Sequence, residues 1–150
     1  MSVLIDTNVL LRRTQPSHAS HRAAVENVAR LLSTGEPAYV TPQNIAEFWN
    51  VLTRPVAGNG LGFSPAMAAA EVDKIELALT LLPDRPAMYR EWKRLVTQHE
   101  VRGAKVHDTR LVAAMNVHGI RRITTFNVGD FTRFNIEVLF PPDYVNHPIG

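Results

Sequence analysis

The sequence predicts an α/β fold, a three-layer α/β/α sandwich built around a five-stranded and mostly parallel sheet. Short apolar runs rich in β-branched residues alternate along the chain with longer segments of helical periodicity. Helices cover both faces of such a sheet, because each connection between parallel strands crosses one face. The 150 residues suffice for one domain, 1–150, and show no internal repeat or linker.

The first predicted strand, residues 3–5, leads directly into Asp6, Thr7 and Asn8. Asp6 therefore lies at the carboxyl end of this strand, where open α/β sheets bind ligands. A buried carboxylate at this position needs a partner or a metal. Alternatively, Asp6 or Thr7 only caps the helix that comes next.

The other elements follow from hydrophobic spacing and from residues that start or stop helices. Thr41 is a predicted cap with Pro42 at the first helical position, and Gly35 and Gly119 end helices. The predicted helices cover residues 18–33, 41–54, 64–78, 88–99 and 107–118. The later strands are predicted at 37–40, 79–82, 122–126 and 136–140. Residues 57–63 read as a flexible loop, 127–134 as a turn or short helix, and the tail from Pro141 as a loop.

Acidic and amide side chains recur at strand ends and helix starts. Asp6 follows the first strand, Glu47 lies on the helix after the second strand, and Asp108 opens the last long helix. Asn127 and Asp130 follow the fourth strand. Such positions converge at one edge of a parallel sheet, where neighbouring carboxylates repel each other unless a cation intervenes. Mg²⁺ or Mn²⁺ suits oxygen ligands, and a metal held in this way activates water and stabilises an in-line displacement at phosphorus.

Each of these side chains also has a purely structural interpretation. Glu47 could be a solvated helix residue, although its apolar neighbours shelter it. Asp108 could be a helix N-cap, and Asn127 could be a cap or a turn residue. Asp130 could be a turn acid, or it could lie behind the metal ligands rather than among them.

Four stretches of the chain resemble PIN-domain ribonucleases, in particular the VapC-type toxins of bacterial toxin–antitoxin pairs. They read DTNVLL at 6–11, IAEFWNVLTRP at 45–55, VHDTRLVAAM at 106–115 and ITTFNVGDF at 123–131, in the family's order. The resemblance implies a five-stranded parallel sheet between helices and a Mg²⁺- or Mn²⁺-dependent endoribonuclease that cleaves RNA. It also implies a homodimer bound by an antitoxin protein.

The resemblance further implies roles for individual residues. Asp6, Glu47 and Asp108 fall on the family's acidic triad, which binds the metal. The fourth acidic position falls on Asn127, an amide as in a subset of the family, and is included in the catalytic set. A second metal would then depend on Asp130 as an additional ligand.

Other polar residues have supporting roles or remain candidates. Thr125 matches a hydroxyl that often lines the family's site, and Thr7 and Asn8 are the predicted supporting residues beside Asp6. His107 is a possible acid or base, but a structural role is expected for it. Candidate phosphate contacts are Arg12, Arg13, Arg54, Arg102, Lys105, Arg110 and Arg133.

Composition excludes several classes of protein and site. The absence of cysteine excludes disulfides, thiolate metal sites and a cysteine nucleophile. The N-terminus shows neither a signal peptide nor a membrane span, so we expect no membrane partner and a cytoplasmic location. The net charge of +2 neither requires nor forbids a nucleic-acid partner. The glycine-rich motifs that bind nucleotide phosphates, G-x-x-x-x-G-K-[ST] and G-x-G-x-x-G, are both absent from the sequence.

Three functions compete with that of a toxin nuclease. A haloacid-dehalogenase-like phosphatase needs a second Asp at position 8, where this chain has Asn8. A stand-alone RNA-processing nuclease would lack an antitoxin, whose reading frame is expected next to that of a toxin. A degenerate PIN domain would bind RNA or protein without catalysis, and only Asn127 supports that reading. For the homodimer, an apolar patch is predicted to include Phe48, Trp49, Met88 and Trp92.

Overall fold

A computed structural model describes residues 1–144 of the chain. Its strands are β1 (Val3–Ile5), β2 (Ala38–Val40), β3 (Thr80–Leu81), β4 (Arg122–Thr124) and β5 (Glu137–Leu139). Its α-helices are α1 (Thr7–Arg13), α2 (His21–Ser33), α3 (Pro42–Thr53), α4 (Pro65–Ala78), α5 (Ala87–Gln98) and α6 (Lys105–His118).

The strands form one parallel sheet in the order β3-β2-β1-β4-β5. The chain builds outward from β1 to β2 and β3, then returns to the other side of β1 with β4 and β5. This reversal opens a crevice between the carboxyl ends of β1 and β4, the position where such sheets bind ligands. The topology therefore places Asp6 and Thr125 next to each other.

Helices cover both faces of the sheet, which confirms the predicted three-layer sandwich. Side chains alternate along a strand, so Val3 and Ile5 of β1 enter one core while Leu4 enters the other. The first core is completed by the buried faces of α1, α2, α3 and α4. The second core contains Leu95 of α5 and Leu111 of α6. All three apolar residues of β1 are fully buried, as expected for the central strand of a parallel sheet.

Several element boundaries differ from the predicted ones. Helix α2 begins at His21 instead of residue 18, and α6 begins at Lys105 instead of residue 107. Hydrophobic spacing does not predict the bounds of α1, because its seven residues are too few to show a helical repeat. Strand β3 has two exposed residues, as suits an edge strand. The predicted tail loop begins as a 3₁₀ helix at Pro141–Tyr144, and its remainder lies outside the described residues.

The glycine-containing segment after α3 is hydrogen-bonded to that helix instead of forming a free loop. It starts with a 3₁₀ turn, Val56–Gly58, and Gly62 and Phe63 donate backbone hydrogen bonds to Arg54 and Leu52. A Cβ atom on Gly60 would lie 2.1 Å from the carbonyl oxygen of Arg54. Only glycine allows this close approach of the two backbones.

Candidate active site

Asp6 both caps α1 and lies at the carboxyl edge of the sheet, so its two interpretations are compatible. Its Oδ1 accepts a hydrogen bond of 2.8 Å from the backbone N–H of Thr7. Its Oδ2 accepts hydrogen bonds from the Thr125 hydroxyl at 2.8 Å and from the Asn8 amide at 3.3 Å. Only 6% of the residue is exposed, and this burial raises its pKa to about 6 despite the hydrogen bonds. The charges of Asp108 and Glu47 raise this pKa further.

A polar network behind Asp6 joins β1 to β4. The Asn8 amide also donates to the Thr125 hydroxyl at 3.1 Å, and its carbonyl oxygen accepts from the backbone N–H of Phe126 at 3.1 Å. The backbone N–H of Asn127 donates to the same Thr125 hydroxyl at 3.0 Å. Asn8 and Thr125 therefore hold the Asp6 carboxylate in one orientation.

Glu47 reaches the same edge from α3, where neutral donors hold it. The Thr7 hydroxyl donates to its Oε2 at 2.9 Å, and the Gln43 amide donates to its Oε1 at 2.8 Å. Gln43 also donates to the carbonyl oxygen of His107 at 2.8 Å, which links α3 to the first turn of α6. The buried Asn44 amide donates to the Thr7 hydroxyl at 3.1 Å.

Gln43 and Asn44 were not predicted as site residues. The spacing of Gln43 and Glu47, four residues apart on one helix face, was the available signal for the first. Asn44 also completes the capping box begun by Thr41, which is the predicted cap of this helix. Its additional contact with Thr7 depends on the packing of α3 against α1.

Asp108 lies in the first turn of α6 and not at its cap. The N-cap is Ala104, so the capping alternative for Asp108 is wrong. The carboxyl group is half-buried, and its pKa is raised to about 6 by burial and then by the charges of Asp130 and Glu47. Lys105 and His107 act in the opposite direction on this pKa.

Asn127 and Asp130 lie at the outer part of the site. Asn127 is exposed, precedes a 3₁₀ turn at Val128–Asp130, and makes no cap hydrogen bond through its side chain. Asp130 pairs with Lys105, with 3.4 Å between Oδ1 and Nζ. The negative charge of Asp130 raises the pKa of Asp108, so the two carboxylates are close enough to repel each other.

The donor set at this edge fits a hard divalent cation by its chemistry. Asp6, Glu47 and Asp108 form no ion pair with any Lys or Arg of residues 1–144. Their oxygens are the ligand type that Mg²⁺ and Mn²⁺ prefer. Within the same range, no group of three His, Asp or Glu side chains is arranged so that it could hold a metal ion. The three acids therefore lie near one another without forming a preassembled ligand set.

Comparison with known proteins identifies the family. The chain matches the PIN domain family over residues 3–136. It belongs to this family. A comparison with curated protein sequences gives no match.

Solved structures share the PIN fold at low sequence identity. VapBC2 of Rickettsia felis, bound to a promoter DNA fragment, has a TM-score of 0.71 and 14% identity, covering 93% of this chain and 98% of that chain. VapC20 of Mycobacterium tuberculosis, a sarcin–ricin-loop-cleaving toxin, has a TM-score of 0.64 and 19% identity, with coverages of 91% and 98%. FitAcB of Neisseria gonorrhoeae has a TM-score of 0.64 and 19% identity, with coverages of 93% and 97%.

Several predicted phosphate contacts of this PIN domain lie away from the acids. Arg12 and Arg13 lie at the far end of α1, where Arg12 binds Gln15. Arg133 donates to the carbonyl oxygen of His99. Lys105 reaches the site by its ion pair with Asp130, and Arg110 lines a neighbouring cleft.

No helix among the described residues is both long and apolar enough to cross a membrane.

Proposed function

We propose that this PIN domain is a Mg²⁺- or Mn²⁺-dependent endoribonuclease and that Asp6, Glu47 and Asp108 bind its metal. The observation that carries the proposal is that Thr7 and Gln43 link Glu47 to Asp6 and to the residue before Asp108, and that none of these acids has a basic partner in residues 1–144. Carboxylates brought together in this way raise one another's proton affinity, and a divalent cation relieves that repulsion.

The surrounding side chains orient the acids without neutralising them. Thr125 and Asn8 fix Asp6, while Thr7 and Gln43 fix Glu47, and all four donors are uncharged. The negative charge of the site is therefore preserved for a cation. When bound, such an ion neutralises charge on the reacting phosphate and lowers the pKa of a bound water.

Asn127 and Asp130 determine how many ions the site can hold. The amide of Asn127 offers a neutral oxygen where many family members offer a carboxylate, and Asp130 is already paired with Lys105. We propose one weakly bound ion in the free protein. A second ion would need Asp130, the Asn127 oxygen and a phosphate of the RNA together, because Mg²⁺ gives up its waters reluctantly.

The test is cleavage of RNA by the purified protein in Mg²⁺ or Mn²⁺ and in excess chelator. Asp108→Asn should reduce the rate on the order of 10²-fold or more, because a ligand and its charge are lost. Asp108 is a cleaner choice than Asp6, whose carboxylate accepts three hydrogen bonds that an amide cannot all replace. Asp130→Ala should reduce the rate less.

Cleavage that persists in chelator, or at full rate in Asp108→Asn, would contradict the assignment of the site. Absence of cleavage under every metal condition would favour the degenerate, non-catalytic alternative. Sequencing the 5′ ends of RNA fragments after induction in cells would identify the RNA that is cut.

We also propose that the chain is the toxin of a toxin–antitoxin pair. The support is its fold, which is shared with the VapBC2 and FitAcB structures. The expected finding is an adjacent reading frame for a small DNA-binding protein that copurifies with this chain and blocks cleavage. A chain with no such neighbour, tolerated by cells at high expression, would be a stand-alone RNA-processing nuclease instead.

A further inference from the structure

A cleft lies near the acidic site. It has a volume of about 460 Å³ and lies between the N-terminal halves of α5 and α6. Met88, Tyr89 and Trp92 line it from α5, and His107 and Arg110 line it from α6. The cleft and the acids share the start of α6, because His107 precedes Asp108 and its carbonyl oxygen accepts from the Gln43 amide that holds Glu47.

One wall of the cleft is an aromatic platform. The rings of Tyr89 and Trp92 have centroids 6.2 Å apart and planes inclined by 32°. The Trp92 indole N–H donates to the carbonyl oxygen of Val106 at 2.9 Å, which fixes the ring against the first turn of α6. Tyr89 is 64% exposed, so its ring is available to a ligand rather than needed in the core.

The rim of the cleft is basic. Arg85 and Arg110 are both exposed, and neither forms an ion pair within the described part of the chain. Asp84 is the only acid of the lining. A guanidinium binds phosphate through two parallel hydrogen bonds, and aromatic rings stack on unpaired bases. The cleft therefore offers both kinds of contact that a single nucleotide requires.

We propose that this cleft binds one unpaired nucleotide of an RNA strand, with its base stacked on Tyr89 and its phosphate held by Arg85 or Arg110. Arg110 lies two positions after Asp108 on α6, and side chains two positions apart point to different sides of a helix, so a strand that fills the cleft would pass around the start of α6 to reach the acids. The volume falls within the range of about 300–1,000 Å³ that is usual for small-ligand sites. A base within a duplex cannot reach the platform, so the site selects single-stranded RNA. This proposal rests on the proposed endoribonuclease function.

Trp92 provides a reporter that is independent of cleavage. The chain has two tryptophans, so Trp49→Phe leaves Trp92 as the only one. In chelator, a short single-stranded RNA should quench its fluorescence, and the same sequence as a duplex should not. Tyr89→Ala should weaken the affinity for the single strand roughly tenfold, as expected for loss of one stacked base. Tyr89→Phe keeps the ring and should retain the affinity.

Arginine variants test the phosphate contact. Arg110→Ala should weaken binding and reduce the slope of log affinity against log salt by about one. Arg90→Ala is the matched control, because Arg90 is exposed on α5 but does not line the cleft. Unchanged affinity in both Tyr89→Ala and Arg110→Ala, or equal quenching by the duplex, would overturn the proposal.

The outcomes separate the cleft from the nuclease. If the protein cleaves RNA but its RNA affinity is unchanged in Tyr89→Ala and Arg110→Ala, only the proposed role of the cleft is overturned. If the protein does not cleave RNA but its tryptophan fluorescence is quenched as predicted, only the proposed nuclease function is overturned. Light scattering that shows altered self-association of Tyr89→Ala with unchanged RNA affinity would assign the cleft to a second copy of the chain and overturn the proposal.

Discussion

The Thr125 hydroxyl donates a hydrogen bond of 2.8 Å to Oδ2 of Asp6, although the two residues are 119 positions apart in the chain. This bond joins the carboxyl ends of the adjacent strands β1 and β4. The same hydroxyl accepts hydrogen bonds from the Asn8 amide and from the backbone N–H of Asn127. One buried oxygen thus connects the residues on both sides of the switch point.

We expect Thr125→Val to lower the free energy of unfolding by about 1–3 kcal/mol, because the buried Asp6 carboxylate loses a hydrogen bond and the backbone N–H of Asn127 loses its partner. It should also raise the pKa of Asp6, since the Thr125 hydrogen bond lowers it. Urea unfolding measures the change in stability. Cleavage assays measure the effect of a less firmly oriented Asp6 carboxylate on activity. Thr125→Ser keeps the hydroxyl and is the control. A valine variant as stable as the unmodified protein would show that the bond contributes nothing.

The raised pKa of Asp108 predicts a pH-dependent stability of the metal-free protein. A carboxyl group with a pKa of about 6 in the folded state, against its ordinary pKa of 3.8, binds its proton more tightly when the protein is folded. Its ionisation therefore lowers the free energy of unfolding as pH rises through the interval between these values, and the loss persists above it. Asp108→Asn should raise the melting temperature by a few degrees at about pH 7.5 and leave it nearly unchanged at about pH 4.

Thermal unfolding in chelator measures this difference. Asp73→Asn, which changes an exposed acid on α4, is the matched control for removal of one negative charge. An Asp108→Asn variant that is no more stable than the unmodified protein at neutral pH would contradict the repulsion between the acids.

Asn127→Asp should tighten Mn²⁺ binding in the free protein, because a charged oxygen replaces a neutral one at the open part of the site. Calorimetric titration of both proteins gives the affinities and the number of ions. Asn135→Asp is a suitable control, since it adds the same charge at an exposed position away from the acids. Two tight sites in the unmodified protein without RNA would show that the amide has no effect.

We expect a homodimer, with a mass in light scattering of twice the 16.7 kDa chain. The apolar patch predicted for it is partly wrong, because the side chains of Phe48 and Met88 are buried. Trp49 and Trp92 are only partly buried, and Leu77 on α4 is 90% exposed. A monomer at micromolar concentration would count against the dimer.

The sequence by itself determined the alternation of strands and helices and the order of the acids along the chain. Both are local properties: hydrophobic spacing marks each element, Asp6 follows a predicted strand, Asp108 opens a predicted helix, and Glu47 lies within one. Because parallel strands share one carboxyl edge, the convergence of these acids could be inferred before the strand order was known. Thr7 and Asn8 follow Asp6 directly in the sequence, whereas Thr125 was identified through the family resemblance.

Only the tertiary structure decided which donors hold each acid. Gln43 contacts His107 across 64 positions of sequence, and Thr7 contacts Glu47 across 40, so neither bond follows from local spacing. The start of α6 at Lys105 changed Asp108 from a possible cap to a first-turn residue beside Asp130. The exposure of Tyr89 likewise depends on how α5 packs against α6, because periodicity marks a buried face but not where a neighbouring helix leaves it uncovered.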